Sequence, residues 1–458
     1  MSGIMLTLAG VSAASKPDAP TIGTATKTGT TTATVVFTAP ANDGGATIIS
    51  YTATSSPAGG TGTLVQSGSG TISVTGLTPN TSYTFTVTAT NAAGTSDPSA
   101  ASNSITTDAL ALLFAWGQNS TYGQLGLGDK INRSSPVQVG SNSNWLRVGA
   151  GGNFGAAVNK SNQAFFWGGN QFGQLGLGST TYFSSPVQSG SANFVKGGNY
   201  MSQKLNGNTL YLTGRNQFGQ LGLGDKTYRS SFVSVGNDWA TINSSRTDGA
   251  SVAVKTNGTL WTWGAGGGGA SGILGLGNTT SYSSPKQVGA LTNWAKPACN
   301  DSHMLCIKTD GTLWAWGANA YGQLGLGNTT GRNSPVQVGS NTNWLYVSTG
   351  QNASFATTTD GKLFAWGNNS TGKLGLGDNI YRSSPVQVGS LTNWLKTSNH
   401  IGCIALKTDG TLWTWGAGYF GKLGHGNQTD YNSPKQVGAL TTWTDVSAGL
   451  QFCLAIRG

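Results

Sequence analysis

The side chains that carry most enzyme chemistry are scarce in this chain of 458 residues. It has three histidines, His303, His400 and His425, and all fifteen acidic residues are Asp. No His recurs beside a nucleophile and a carboxylate, as a catalytic triad requires, and no His or Cys spacing matches a metal site. We therefore predict that the protein is not an enzyme and has no catalytic residue, metal site or cofactor.

The four cysteines are the other reactive groups. Cys299, Cys306, Cys403 and Cys453 show no Cys-x-x-Cys spacing and no pattern of a disulfide framework. Each lies in or beside an apolar run that reads as a strand. We expect buried free thiols that pack as small hydrophobic groups.

A glycine-rich motif, Gly-x-Leu-Gly-x-Gly, is the most specific signal in the chain. Its seven copies are 46 to 53 residues apart and begin at Gly123, Gly173, Gly219, Gly272, Gly322, Gly372 and Gly421. A nucleotide-binding loop would be followed by a helix, and a P-loop would end in Lys-Ser or Lys-Thr. Neither is present, and sevenfold repetition is typical of a structural unit. We expect these glycines to adopt positive φ or to allow close backbone approach.

One position in the loop after each motif could form a binding surface. Alignment of the repeats on the Ser-Ser-Pro that follows places there Arg133, Phe183, Arg229, Tyr282, Arg332, Arg382 and Tyr431. Arg and aromatic side chains dominate the energetic hot spots of interfaces. These seven residues are our candidate binding rim. The alternative is that they hold their own loops in place.

The elements that must position these loops are short strands. Upstream of six motifs a strand ends in Trp-Gly, with Thr213 replacing the Trp in the third repeat; the six are Trp116, Trp167, Trp263, Trp316, Trp366 and Trp415. We expect these indoles to be core residues between neighbouring sheets. Pairs such as Asp310-Gly311 predict type I′ hairpins between two apolar strands. The fourth repeat also contains a glycine-rich loop at 265–271.

These motifs resemble the repeats of the regulator of chromosome condensation family over residues 109–458. The resemblance implies a seven-bladed β-propeller. The first repeat begins directly with the strand at 112–116 and the last ends with a strand at 452–457. These two should pair, so that no open sheet edge remains. The best-known member is an exchange factor for a small GTPase and uses a protruding insertion, whereas the longest repeat here has 53 residues.

Residues 16–108 show a different strand pattern. Gly76-Leu-Thr-Pro-Asn-Thr-Ser-Tyr83 leads into a strand in which Tyr83, Phe85, Val87 and Ala89 share one face. This segment resembles the tyrosine corner of a fibronectin type III domain, which implies a sandwich that acts as a spacer, docking or adhesive module. Residues 1–15 contain a short apolar stretch without the basic start of a secretory signal. We expect these residues to form a docking arm.

The composition predicts an all-β fold: a fibronectin-like sandwich followed by the propeller. The net charge is +10, and residues 109–458 hold 23 basic against 11 acidic residues. These charges are dispersed over many loops, which favours solvation over nucleic-acid binding. No segment is long and apolar enough to insert in a membrane.

For the biological role we expect a bacteriophage virion component, namely a capsid decoration, fibre or host-binding protein. Its partners would be other virion proteins or a protein or glycan on the host surface, and assembly would make it oligomeric. The alternatives are a secreted or cell-surface bacterial adhesion protein, and an intracellular scaffold or exchange factor for a small GTPase.

Overall fold

Short apolar runs separated by Gly, Thr, Ser and Asn fold here almost wholly into strands. The structure is a computed structural model that describes residues 13–245, 249–267, 272–300 and 302–458. Within these ranges, the helical content is one 3-10 turn, Tyr419–Gly421. The chain divides into two compact units, and the boundary along the sequence lies between Leu110 and Ala111.

The first unit is the sandwich that the sequence predicts. Its strands are β1 Thr21–Lys27, β2 Ala33–Thr38, β3 Ser50–Ser56, β4 Thr61–Leu64, β5 Gly70–Val74, β6 Ser82–Asn91, β7 Gly94–Thr95 and β8 Ile105–Thr106. One sheet has the order β1-β2-β5, and the other has the order β4-β3-β6-β7, with β8 also paired to β6. Alternate residues of β6, from Tyr83 to Ala89, are buried. The backbone N–H of Thr78 donates to the Tyr83 hydroxyl at 2.9 Å, which confirms the tyrosine corner.

Two predicted segments fall partly outside the described residues. The docking arm at 1–15 lies outside them up to residue 12, and the glycine-rich loop at 265–271 lies outside them from residue 268. Within the described part, the Ser15 N–H donates to the Gly44 carbonyl at 2.9 Å. The docking role of the arm stays a prediction.

The second unit contains strands β9 to β36. In the first three repeats they are β9 Leu112–Gly117, β10 Arg133–Gln138, β11 Trp145–Ala150, β12 Phe154–Asn159, β13 Gln163–Gly168, β14 Phe183–Ser191, β15 Phe194–Gly197, β16 Met201–Asn206, β17 Thr209–Gly214 and β18 Arg229–Gly236. The next two repeats hold β19 Trp239–Ser244, β20 Ala250–Lys255, β21 Leu260–Gly264, β22 Tyr282–Gln287, β23 Trp294–Asn300, β24 His303–Lys308, β25 Leu313–Gly317 and β26 Arg332–Gln337. The last two hold β27 Trp344–Gly350, β28 Ala353–Thr358, β29 Leu363–Gly367, β30 Arg382–Gln387, β31 Trp394–Asn399, β32 Gly402–Lys407, β33 Leu412–Gly416, β34 Tyr431–Gln436, β35 Trp443–Ala448 and β36 Phe452–Arg457.

These strands form seven four-stranded antiparallel sheets within the described residues, one for each motif copy. Six sheets use four consecutive strands, from β11-β12-β13-β14 to β31-β32-β33-β34. The first strand of each is innermost, because hydrogen bonds join it to the first strands of neighbouring sheets. For example, the Asn300 side chain donates to the Thr349 carbonyl at 3.2 Å. This is the radial arrangement of a propeller.

The remaining sheet joins the two ends of the second unit. Its order is β10-β9-β36-β35, and β36 pairs with β9 from Phe452 opposite Gly117 to Arg457 opposite Leu112. The predicted pairing of the first and last strands is therefore present. It leaves neither strand with an open edge.

The Trp-Gly strand ends make the same packing and hydrogen-bond contact between each pair of sheets that they join. The indoles are fully buried, and each N–H donates to a carbonyl of the preceding repeat, as Trp167 does to Gln124 at 2.9 Å. The same hydrogen bond joins the first repeat to the last, because the Trp116 N–H donates to the Lys422 carbonyl at 2.9 Å. Gly126 has φ +76°, and a Cβ there would lie 2.7 Å from the Trp167 Nε1. The motif glycine is thus required by both its conformation and the indole packed on it.

The hairpin prediction needs a correction. A type I′ turn requires positive φ at both central residues, but at Asp310-Gly311 only the glycine has it, with φ +76°. The Gly311 N–H donates to the Lys308 carbonyl, and the Asp310 carboxylate accepts from the Thr312 N–H at 2.9 Å. The aspartate side chain therefore stabilises a longer loop with a single left-handed residue, so the type I′ assignment is wrong.

Candidate binding face of the propeller

All seven predicted rim residues occupy equivalent places in the fold. Each is the first residue of the outermost strand of its sheet. Because strands alternate in direction, these strand starts lie on the same face of the propeller as the Gly-x-Leu-Gly-x-Gly loops. The structure therefore brings the predicted rim to one face.

Three of the rim arginines are engaged by their own loops. Arg229 donates to the Asp225 carboxylate at 2.6 Å and to the Thr227 carbonyl at 2.8 Å. Arg133 and Arg382 make the equivalent bonds, with ion pairs of 2.5 and 2.6 Å. The Thr227 N–H lowers the pKa of Asp225 against the opposing effect of burial, and Arg229 and Asn216 lower it further. These carboxylates are therefore charged at neutral pH and fix the loop conformation.

The other four rim residues vary this arrangement. Arg332 bonds two loop carbonyls, those of Thr330 and Gly331, at 3.1 and 3.0 Å. Tyr282 and Tyr431 accept from a loop asparagine, Asn278 or Asn427, each at 3.3 Å. Phe183 packs against the apolar core of its own sheet. These contacts support the loop-holding alternative, and the binding role of the rim stays a prediction.

Sequence reasoning missed the aromatic side chains that these loops expose. Tyr182, Tyr228 and Tyr381, each directly before a rim residue, are exposed. Each meets an aromatic ring of the preceding repeat edge to face. The pairs are Tyr122–Tyr182 at 5.5 Å, Phe172–Tyr228 at 5.6 Å and Tyr321–Tyr381 at 5.6 Å between ring centroids. The signal was present in the sequence as an aromatic residue directly before the first glycine of several motifs.

The histidines have structural surroundings. His303 is fully buried, and burial lowers its pKa to about 3. His425 contacts the Thr414 hydroxyl at 3.0 Å, and its pKa is lowered to about 4 by burial and the Lys435 charge. All four cysteines are buried free thiols. Within the ranges described, no three His, Cys, Asp or Glu side chains converge as a set of metal ligands. No helix there is long and apolar enough to cross a membrane.

The family models agree with this architecture. The model of the RCC1-like domain matches residues 113–455, three quarters of the chain, and that of the fibronectin type III domain matches residues 18–105. The chain belongs to the RCC1-like domain family. None of the curated protein sequences matches it.

Solved structures show the same fold for the RCC1-like unit. Human WBSCR16 is 21% identical, with a TM-score of 0.65, over 76% of this chain and 98% of its own. Prp20p from Saccharomyces cerevisiae, studied for its binding to Gsp1p and histones, is 18% identical, with a TM-score of 0.67. The match covers 76% of this chain and 91% of Prp20p. Yeast RCC1 (Prp20) bound to Kap60 gives the same identity and TM-score, and the match covers 76% of this chain and 89% of that one. At these identities the likeness establishes the fold alone.

Proposed function

We propose that this chain is a non-enzymatic binding protein that presents the rim face of its RCC1-like propeller to a protein or glycan partner. The observation that supports this most strongly is the set of three exposed aromatic pairs on that face. Aromatic rings offer large contact areas at low entropic cost, and the loops beside them are held by Arg–Asp pairs. Such a surface is rigid before it binds, which favours affinity.

We further propose that the protein is a component of a bacteriophage virion, in which it decorates the capsid, forms part of a fibre or contacts the host. A fibronectin-like unit joined to Gly-, Thr-, Ser- and Asn-rich β repeats without Glu supports this by analogy. The binding of Gsp1p and histones by Prp20p supports only the general idea that such propellers bind proteins.

The virion proposal is tested by locating the chain. An antibody against the protein should label purified phage particles, and particle digests should contain its peptides. Label confined to bacterial surfaces would instead support an adhesion protein. Label confined to the cell interior would support the scaffold alternative.

The rim proposal is tested by binding of the labelled protein to whole cells. Y182A/Y228A/Y381A should reduce binding about a hundredfold or more, since each truncation of an interface aromatic costs ~1–2 kcal/mol and three are combined. R229A/R382A should leave the fold intact and weaken binding less, because it loosens the loops that hold two of the tyrosines.

The matched control lies on the opposite face. Leu291, Leu391 and Leu440 are exposed in loops that follow the outermost strands. L291A/L391A/L440A removes apolar surface of similar exposure and should bind as the wild type does. Equal binding by the tyrosine variant and the wild type would contradict the rim proposal.

A further inference from the structure

The seven innermost strands place a ring of side chains at one end of the central channel. Each strand begins with Trp or Phe, and the ring residue stands two positions later. These residues are Arg147, Lys196, Thr241, Lys296, Tyr346, Lys396 and Asp445. Four cations and one carboxylate leave a net charge of +3 in the ring.

A repeated backbone irregularity positions these side chains. In six of the seven innermost strands the described pairing shifts between the aromatic residue and the ring residue, as between Trp145 and Arg147. A β-bulge at such a place re-aims the following side chain. Because each strand starts at the end opposite to the motif loops, the ring lies on the face away from the rim.

Part of the ring lines a cavity of about 260 Å³. Its walls include Arg147, Lys196, Tyr346, Lys396 and Asp445. A water takes about 30 Å³ of liquid volume, so the cavity has room for a polyatomic ligand. The adjoining space deeper in the channel measures only about 30 Å³, and its walls include Lys196 and the neutral polar residues Asn243, Ser348 and Thr397. A threading polypeptide would not fit there, whereas a small ligand would be held at the channel mouth.

The acceptors of this cavity are already used. The Asp445 carboxylate accepts from the Val148 N–H at 2.8 Å and from the Val446 N–H at 3.0 Å, and it also contacts the Lys396 ammonium. The carboxylate therefore has little capacity left for a further donor.

The donors of the cavity are in excess. The Arg147 guanidinium is exposed and has no side-chain bond to another described residue. The hydroxyl oxygens of Ser398 and Ser447 accept backbone N–H groups at 2.9 Å, which leaves each hydroxyl hydrogen available to donate. Both serines line the cavity, as does the Tyr346 phenol. Such a cluster is complementary to an acceptor-rich anion.

We propose that this channel mouth is a binding site for a phosphate group, as the free anion or as a small phosphate ester. Arg147 and Lys396 supply charge-assisted hydrogen bonds, and Tyr346, Ser398 and Ser447 donate neutral ones. A concave site of one charge sign also raises the local concentration of such anions.

The electrostatics of Lys396 agree with this site. Burial and the Arg147 charge lower the pKa of Lys396 to about 8, whereas the Asp445 carboxylate beside it favours the charged form. Lys396 is therefore largely charged at neutral pH. An added phosphate would stabilise that charge further.

The test is calorimetric titration of the full chain with inorganic phosphate and, separately, with glucose 6-phosphate. We expect one saturable site whose affinity falls as salt is added. R147Q should weaken binding about tenfold, since it removes a charge-assisted hydrogen bond, and R147K should restore part of it. Tighter binding of inorganic phosphate would identify the free anion as the ligand, and tighter binding of glucose 6-phosphate would identify the ester.

Two controls keep the result interpretable. Arg147 is exposed, so R147Q should leave the melting temperature nearly unchanged, which separates lost binding from lost folding. Lys226 is an exposed cation in a motif loop on the opposite face, and K226Q should bind phosphate as the wild type does. Absence of saturable binding to both probes, or equal affinity of R147Q and wild type, would overturn the proposal.

Discussion

His303 lies between two neighbouring sheets without access to solvent. Its Nε2 is 2.8 Å from the Ser354 hydroxyl, which itself donates to the Gln323 carbonyl at 2.7 Å. Nε2 must therefore carry the hydrogen, and Nδ1 is buried without a partner among the described residues. The neutral imidazole fits this site, and the imidazolium does not.

This burial predicts a pH-dependent stability. As pH falls below about 6.5, the unfolded chain binds a proton at His303, whereas the folded chain stays neutral until its pKa of about 3. Stability should therefore fall by about 1.4 kcal/mol per pH unit through most of that interval. H303Q should remove this slope, which denaturant unfolding at several pH values would measure.

His425 provides the comparison for that experiment. Its pKa is lowered to about 4, so it titrates in the same interval and contributes a slope of its own. H425Q separates this contribution from that of His303. If H303Q and the wild type show the same pH profile, His303 is not held neutral by burial.

At this scale the sequence predicted packing better than polar contacts. The Trp-Gly indoles were recognisable as core residues because they recur at one place in six of the seven repeats. The ion pair of Arg229 with Asp225 was not recognisable, since the sequence shows a charged loop but does not show the directions of its side chains. The ring of side chains at the channel mouth was also not predicted, because its members share a position in the repeat but not a residue type.

At the scale of the element, the third repeat departs from the others twice. Thr213 replaces the indole, and Phe232 replaces the proline of Ser-Ser-Pro. A Cβ at Gly176 would lie 2.3 Å from the Phe232 ring, the place that the Trp167 indole takes over Gly126. The Phe232 ring also packs against Phe166 at 5.1 Å. Phe232 therefore fills the site of the missing tryptophan.

This replacement predicts strong coupling between the two positions. F232P alone should destabilise the protein by about 3 kcal/mol through a cavity, and T213W alone by about 1–3 kcal/mol through overpacking. The double variant restores the arrangement of the other repeats. Its loss of unfolding free energy should therefore be smaller than the sum of the two single losses by at least about 1 kcal/mol. Chemical denaturation of the four proteins measures this, and simple additivity would refute the replacement.

The elements also show the limit of prediction from sequence. Strand order and the positive φ of the motif glycines follow from the repeated pattern, because the copies share the same constraint. Gly272 is the exception among the motif glycines, since its φ is not positive. The turn at Asp310 was predicted wrongly, since a dipeptide signal does not include the side-chain bond to Thr312 that favours a longer loop. Compensation by Phe232 depends on the packing between sheets, which no single repeat reveals.

At the scale of the whole molecule, the number of sheets was predictable because the motif copies could be counted. The closure was predictable because a sheet without an edge requires the first and last strands of the propeller to pair. The binding partner was not predictable, since rim residues of the same type serve equally for holding loops or for contact. A ring formed by equivalent residues of the repeats, such as the one at the channel mouth, becomes visible only when the repeats are arranged around an axis.

The closure predicts that the last strand is indispensable. Phe452, Leu454 and Ile456 belong to one buried cluster with Trp167, and their burial contributes about 1.5–3 kcal/mol each. Deletion of residues 452–458 removes this burial, which is comparable to the total stability of about 5–15 kcal/mol of a typical domain, and exposes the edges of β9 and β35. We expect loss of the cooperative unfolding transition of the propeller and aggregation, seen by calorimetry and light scattering. R457A, which keeps the strand but removes the Arg457 side chain, whose guanidinium lies 5.2 Å from the centre of the Phe114 ring, should unfold cooperatively near the wild-type temperature. A deletion variant that still melts cooperatively would show that six sheets and an open seventh are stable without the closing strand.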